Sequence, residues 1–159
     1  MTVQLIGVGS QSRLRQVLQT NMDTIKEDLA LLGIHSPAMP ALADTQQRLQ
    51  QLIAEALGAG QSVIMVGGIG DRSDLTVSTV CQGLGVEAVV DQLSYNRLSQ
   101  RCKAEGLPLP QGARSGCKVP RGATVFRSHS GGWPASAVAE GSQFLLMLPD
   151  EPEIGRAHV

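Results

Sequence analysis

The sequence predicts an α/β domain with a mostly parallel sheet covered by helices. Three observations carry that expectation. Short β-rich segments alternate with amphipathic helical stretches along the chain. Ser62 to Val66 is apolar at almost every position, the pattern of a central strand covered on both faces. Eighteen glycines and eight prolines imply many tight turns, with no collagen period. The 159-residue length suits one domain. A domain of this size buries roughly 70% of its unfolded surface, so it needs no disulfide or structural metal.

Val3 to Val8 is the first predicted strand. Met22, Ile25, Leu29 and Leu32 then recur at three- and four-residue steps and share one helix face. Thr20 or Asn21 can cap that helix, and Gly33 follows its end, where a left-handed residue is wanted. A second helix is expected from about Thr45 to Leu57, with Asp44 and Gln47 at the spacing of a capping box. Its buried stripe is Leu49, Leu52, Ile53, Ala56 and Leu57, and Gly58 ends it. After the strand at 62 to 66, Leu75, Val77, Val80 and Leu84 predict a third helix that stops at Gly85. A fourth helix face includes Leu93 and Leu98. Residues 106 to 122, rich in Gly, Pro and basic groups, read as loop, and 123 to 126 and 143 to 148 as late strands.

Composition narrows the function classes. Apolar residues make up 42% but aromatics only 3%, namely Trp133, Tyr95, Phe126 and Phe144, so the core must be aliphatic. A net charge of −1 and few stacking aromatics argue against a nucleic-acid binder. No apolar run reaches about 18 residues, which argues against a membrane span. No charged region precedes an apolar one at the start, so no signal peptide is expected. Cys81, Cys102 and Cys117 are odd in number and lack CxxC spacing, which suits reduced thiols rather than a zinc site. His35, His129 and His158 have no mutual metal-ligand spacing, and no metal site is expected. A cytoplasmic protein fits these features.

The strongest chemical signal is the strand, glycine loop and helix over residues 62 to 84. Gly67, Gly68 and Gly70 permit positive φ and close backbone approach. The helix start that follows would add N–H groups and a positive dipole end, together forming a phosphate cradle. Ligands of open α/β sheets also bind at the carboxyl ends of strands, where this loop falls. A plain strand-to-helix turn, capped by Ser73 or Asp74, is the alternative. No Gly-Lys-Ser/Thr follows, so this is not a P-loop. Gly7-Val8-Gly9 imitates a dinucleotide fingerprint, but Ser12 stands where its third glycine would be. Residues 97 to 127 carry seven of the thirteen basic side chains. Arg114, Lys118 and Arg121 there offer either an anion site or a solvated face.

A collinear set of matches runs nearly gap-free from Val3 to about Pro152. Gly9, Leu14, Gln16, Val17, Thr20 and Asn21 fall within the pattern G-D-E-L-L-x-G-x-I-V-D-T-N, and Leu32, Gly33 and Ile34 match the L-G-I that ends its helix. Leu42-Ala43-Asp44 stands for V-G-D. Gly67 to Thr76 follows G-G-L-G-P-T-x-D-D-x-T with one residue fewer. Val119-Pro120-Arg121-Gly122-Ala123 matches V-P-x-G-A, and Leu148-Pro149-Asp150-Glu151-Pro152 matches L-P-G-x-P. The turn N-P-x-G-T-A-P-G appears as Ser128-His129-Ser130-Gly131-Gly132-Trp133-Pro134-Ala135. On these residues the chain resembles the molybdopterin-binding (MoaB/Mog-like) domain, most closely the amino-terminal domain of the competence/damage-inducible protein A (CinA) family.

The resemblance implies a three-layer α/β/α sandwich, often trimeric, with a pocket for a phosphate-bearing pterin or nucleotide. It implies molybdopterin adenylyltransferase or nucleotide pyrophosphatase chemistry with a divalent metal. The implied ligand-binding residues are Ser10, Gln11, Gly67, Gly68, Gly70, Asp71, Arg72, Ser73, Asp74, Thr76 and Gly131. Several depart from the family pattern. Ser10 and Gln11 replace an acid pair, and one acid of the glycine loop is missing. Arg15, Arg72 and Asp150 replace a Gly, a Thr and a Gly, while Ser128 and Gly132 replace an Asn and a Thr. Mg²⁺ chemistry needs carboxylates, and only Asp44, Asp71 and Asp74 remain as candidates. Two functions are therefore expected to compete: a phosphate-ligand-binding domain with weak or lost catalysis, and a non-catalytic oligomerisation scaffold of a longer CinA-like protein. Residues 1 to 153 read as the single domain. Residues 154 to 159 read as a non-native tail, because a common sequencing-adapter DNA translated in frame encodes Glu153 to Val159.

Overall fold

The architecture is built outward from one strand. In the computed structural model, which describes residues 2–9, 19–36, 41–70, 73–129 and 131–150, β3 (Ser62–Gly67) is buried at all six positions. β1 (Val3–Val8) pairs parallel to it, from Val3 opposite Ser62 to Val8 opposite Gly67. β8 (Gln143–Leu148) pairs parallel on its other edge. Outside these, β2 (Ala41–Ala43) joins β1 in parallel, β7 (Ala135–Glu140) joins β8 antiparallel, and β6 (Thr124–Phe126) joins β7 antiparallel. The order is β2-β1-β3-β8-β7-β6, and β7 alone opposes the others. The expected mostly parallel sheet is thus present.

Strand alternation divides the core in two. Ile6, Val8, Val63, Met65, Leu145 and Met147 face α2 (Gln46–Gly58) and α3 (Leu75–Leu84). Leu5, Ile64, Val66 and Leu148 fall in a second cluster with Met22 and Leu29 of α1 (Gln19–Leu31). Helices on both faces make the three layers. A third cluster, Leu98, Ala113 and Cys117, joins α4 (Gln92–Ala104) to α5 (Ala113–Gly116). β4 (Ala88–Val90) and β5 (Lys118–Pro120) form a separate antiparallel pair beside it. The core is aliphatic: none of the four aromatic side chains is fully buried. No helix among the described residues is long and apolar enough to cross a membrane.

Several local expectations are corrected. α1 already contains Thr20 and Asn21, so neither caps it, and it ends at Leu31, leaving Leu32 74% exposed. Thr45, not Asp44, caps α2, because its hydroxyl accepts from the Arg48 N–H at 3.2 Å. Leu93 is 44% exposed while Leu98 is buried, so the apolar face of α4 runs through Leu98. The stretch 106 to 122 holds α5 and β5 rather than loop alone. β2, β4, β5 and β7 carry no clear sequence signal. The tail 154 to 159 and the side chains of Thr20 and Asn21 lie outside what is described.

Asp91 anchors the α4 unit. Its carboxylate caps α4 by accepting from the Ser94 N–H at 3.1 Å and from the Ser94 hydroxyl. Arg127 grips it with two bonds of 2.8 and 2.9 Å. Burial pushes the Asp91 carboxyl upward, but the hydrogen bonds from Arg127 and Ser94 prevail and hold it below its ordinary value. A lowered folded-state value means the stabilisation is complete above the unfolded value of about 3.8 and is lost as pH falls through the lower folded value. Asp91→Asn should therefore flatten the acid limb of stability measured by denaturant melts across the acid range. Asp91→Ala should cost about 1–2 kcal/mol at neutral pH, the usual worth of a cap.

Candidate functional site

β3 ends in the glycine loop at the carboxyl edge of the sheet. Gly67, Gly68 and Gly70 have φ of +97°, +67° and +139°, where L side chains are strained. Close packing makes the requirement stricter. A Cβ on Gly67 would stand 2.3 Å from the Val8 carbonyl oxygen. One on Gly68 would stand 2.4 Å from Thr76 Oγ1 and 2.7 Å from Val8 Cγ1. The paired ends of β1 and β3 thus leave room for backbone alone.

Thr76 is the frame of this loop. It is fully buried, its hydroxyl donates to the Gly67 carbonyl at 2.7 Å, and its N–H donates to the Gly68 carbonyl at 3.1 Å. The expected ligand hydroxyl of Thr76 is therefore spent on the protein itself. The helix start is also less open than expected. Besides the Thr76 amide, the Leu75 N–H is taken by Ser73 Oγ at 3.3 Å. Asp74 occupies the cap position of α3, but its side chain makes no capping bond; of the two expected candidates, Ser73 is the one that takes a helix-start amide. Ser73 and Asp74 are both exposed at the loop's rim. Ser10, Gln11, Asp71 and Arg72 lie outside the described residues.

The turn after β6 meets the loop through an unexpected side chain. Gly131, at φ +80°, packs on α4, where a Cβ would come 3.1 Å from the Arg97 carbonyl oxygen. Trp133, two residues on, lies against Gly70 and Gly116. Trp133 is absent from the expected site residues. Its partners Gly70 and Gly116 are distant in sequence, so local spacing carries no signal for it.

Most of the basic stretch is engaged elsewhere. Arg114 lies over the Tyr95 ring at 5.0 Å, Arg121 pairs with Glu87 at 2.9 Å, Arg101 with Glu105 at 3.5 Å, and Arg127 with Asp91. Burial, with the charge of Asp91, pushes the Cys117 thiol up to about 11, and burial also raises Cys81. Neither cysteine is poised as a thiolate nucleophile. Among the described residues no group of three His, Cys, Asp or Glu side chains could hold a metal.

Residues 4–153 match the family described as "Probable molybdopterin binding domain". The chain belongs to the molybdopterin-binding domain family. It is 30% identical over 154 residues to a protein named "Putative competence-damage inducible protein" from Bacillus thuringiensis (strain Al Hakam), covering 96% of this chain and 37% of that one. A protein of the same name from Bacillus cereus (strain ATCC 10987 / NRS 248) matches at the same identity and coverage. The chain thus spans about 37% of the length of these relatives. Its fold is that of the CinA protein from Thermoplasma acidophilum, at TM-score 0.75 and 21% identity, over 96% of this chain and 89% of that one. A MogA structure aligns with TM-score 0.55 and 17% identity, over 96% and 85% of the two chains.

Gly67, Gly68, Gly70, Ser73, Asp74 and Thr76 are brought together at one sheet edge, and Gly131 reaches that edge only through the turn carrying Trp133. The framing role of Thr76 is testable. Thr76→Val leaves the Gly67 carbonyl unpaired and should cost about 1–3 kcal/mol by thermal melts, whereas Thr76→Ser should cost much less. Gly67→Ala should destabilise well beyond Gly85→Ala. At Gly85 the φ of +68° is strained but nothing lies within 4 Å, so about 1–2 kcal/mol is expected there.

Proposed function

We propose that the chain binds a phosphate-bearing pterin or nucleotide at the loop from Gly67 to Thr76, with family catalysis weak or lost. The observation that supports this reading is the run of positive-φ glycines, Gly67, Gly68 and Gly70, that follows the carboxyl end of the central strand and leads to the start of α3. Two early amides of α3 are already used, so the helix end contributes little. Arg72, which can fork two bonds onto a phosphate, supplies the main charge in this reading. Asp71 and Asp74 disfavour an anion in the absence of a cation.

A phosphate ligand should be measurable by calorimetry. Gly68→Val should abolish its binding, because the new side chain collides with Thr76 and Val8 and displaces the loop. Arg72→Ala should weaken it about 10–100-fold, the worth of a charged hydrogen bond. Turnover of a nucleotide diphosphate with Mg²⁺ should stay near background. Equal binding by both variants would move the site to Arg114, Lys118 and Arg121.

The scaffold reading has its own support in surface leucines: Leu31 is 87% exposed, Leu32 74% and Leu42 47%. These apolar side chains suit burial between copies, and a homotrimer of domains spanning 1 to 153 is proposed. Light scattering at micromolar concentration should give about three times the 16.8 kDa chain mass; a monomer mass would reject the trimer.

A further inference from the structure

We propose that Trp133 is the positioning residue of the glycine loop: its indole, wedged against Gly70 and Gly116, holds the loop in its ligand-receiving conformation. This rests on the phosphate-site reading above. A Cβ on Gly70 would lie 3.0 Å from Trp133 Nε1, 3.3 Å from Cε2 and 3.4 Å from Cδ1. Such near-equal distances place it over the face of the pyrrole ring, not beyond its edge. A Cβ on Gly116 would lie 2.5 Å from Cζ3, 2.7 Å from Cε3 and 2.8 Å from the Gly70 carbonyl carbon. The two glycine backbones therefore leave no room for a side chain between them and share one indole as their support.

The loop needs such a support. Gly70 at φ +139° is in a conformation that glycine permits but does not itself select. Trp133 is fixed on both sides, since it packs on the α2/α3 core and on the α4/α5 cluster. Its backbone is restricted as well. Pro134 follows it and biases it to extended geometry. Before it, the Gly131 N–H closes the turn onto the Ser128 carbonyl at 3.4 Å. An alanine at this position would be too short to reach across both glycines.

Trp133 is the single tryptophan, so its emission reports on this contact directly. The test uses inorganic pyrophosphate and ADP as probes, with calorimetric binding and tryptophan emission followed in parallel. Both probes should change the wild-type emission with the same saturation as the heat. Trp133→Ala should weaken both about tenfold or more, the scale of a misplaced binding group, and Trp133→Phe should restore binding to within about threefold. Leu29→Ala, a core change in α1 within the cluster that Trp133 does not join, should leave binding unchanged at a comparable loss of melting temperature. Gly70→Ala and Trp133→Ala should be non-additive in binding. Binding without an emission change, or equal weakening by Leu29→Ala and Trp133→Ala, would overturn the inference alone. If Trp133→Ala does not fold, the wild-type emission and the Phe variant settle the matter. A wild-type chain that binds neither probe would overturn the phosphate reading and this inference with it.

Discussion

The contact between the Val8 carbonyl and Gly67 is the constraint on which the site depends. It forms because β1 and β3 run parallel and in register to their last residues, so their ends arrive together. At that point the backbones are too close for a side chain. The chain leaves the sheet through glycines, turns under Thr76, and enters α3 at a fixed place. α3 in turn closes one half of the core through Val77 and Val80. Sheet register, loop conformation and helix placement are thus one linked arrangement. A disturbance at Gly67 would be felt in packing as well as in any ligand site.

Much of this fold is legible in the sequence because its strongest parts rest on burial. Ser62 to Val66 declares a strand covered on both faces, and it proves buried throughout. Leu49, Leu52 and Ala56 declare the inner face of α2 for the same reason. Gly85 marks the end of α3 through its left-handed backbone, as expected. The strands that escape notice are held by neighbours rather than by their own composition. β2 has three residues, and β7 runs Ala-Ser-Ala-Val-Ala-Glu, with little apolar weight. Each exists because an adjacent strand offers its hydrogen bonds.

The site is legible in its backbone and less so in its side chains. Three glycines in a row of four announce close approach, and the geometry supplies it. The hydroxyls behave differently. Thr76 reads as a ligand donor but faces inward to the Gly67 carbonyl, and Ser73 rather than Asp74 takes the first amide of α3. Local spacing does not reveal which acceptor a hydroxyl will find nine residues away. Trp133 escapes notice for a related reason, since its partners Gly70 and Gly116 are distant in sequence and meet only in the folded chain.

The sheet's two outer strands carry a further consequence. β2 and β6 have three residues each, while the four strands between them have six. An edge this short exposes few unpaired peptide groups, too few to template a strand from another molecule. Growth of the sheet across a molecular boundary is therefore disfavoured at both ends. Contact between copies along these two edges would then rest on side chains rather than on shared strands. The same shortness protects the chain during synthesis, when neighbouring copies are close and a long free edge would invite cross-β pairing.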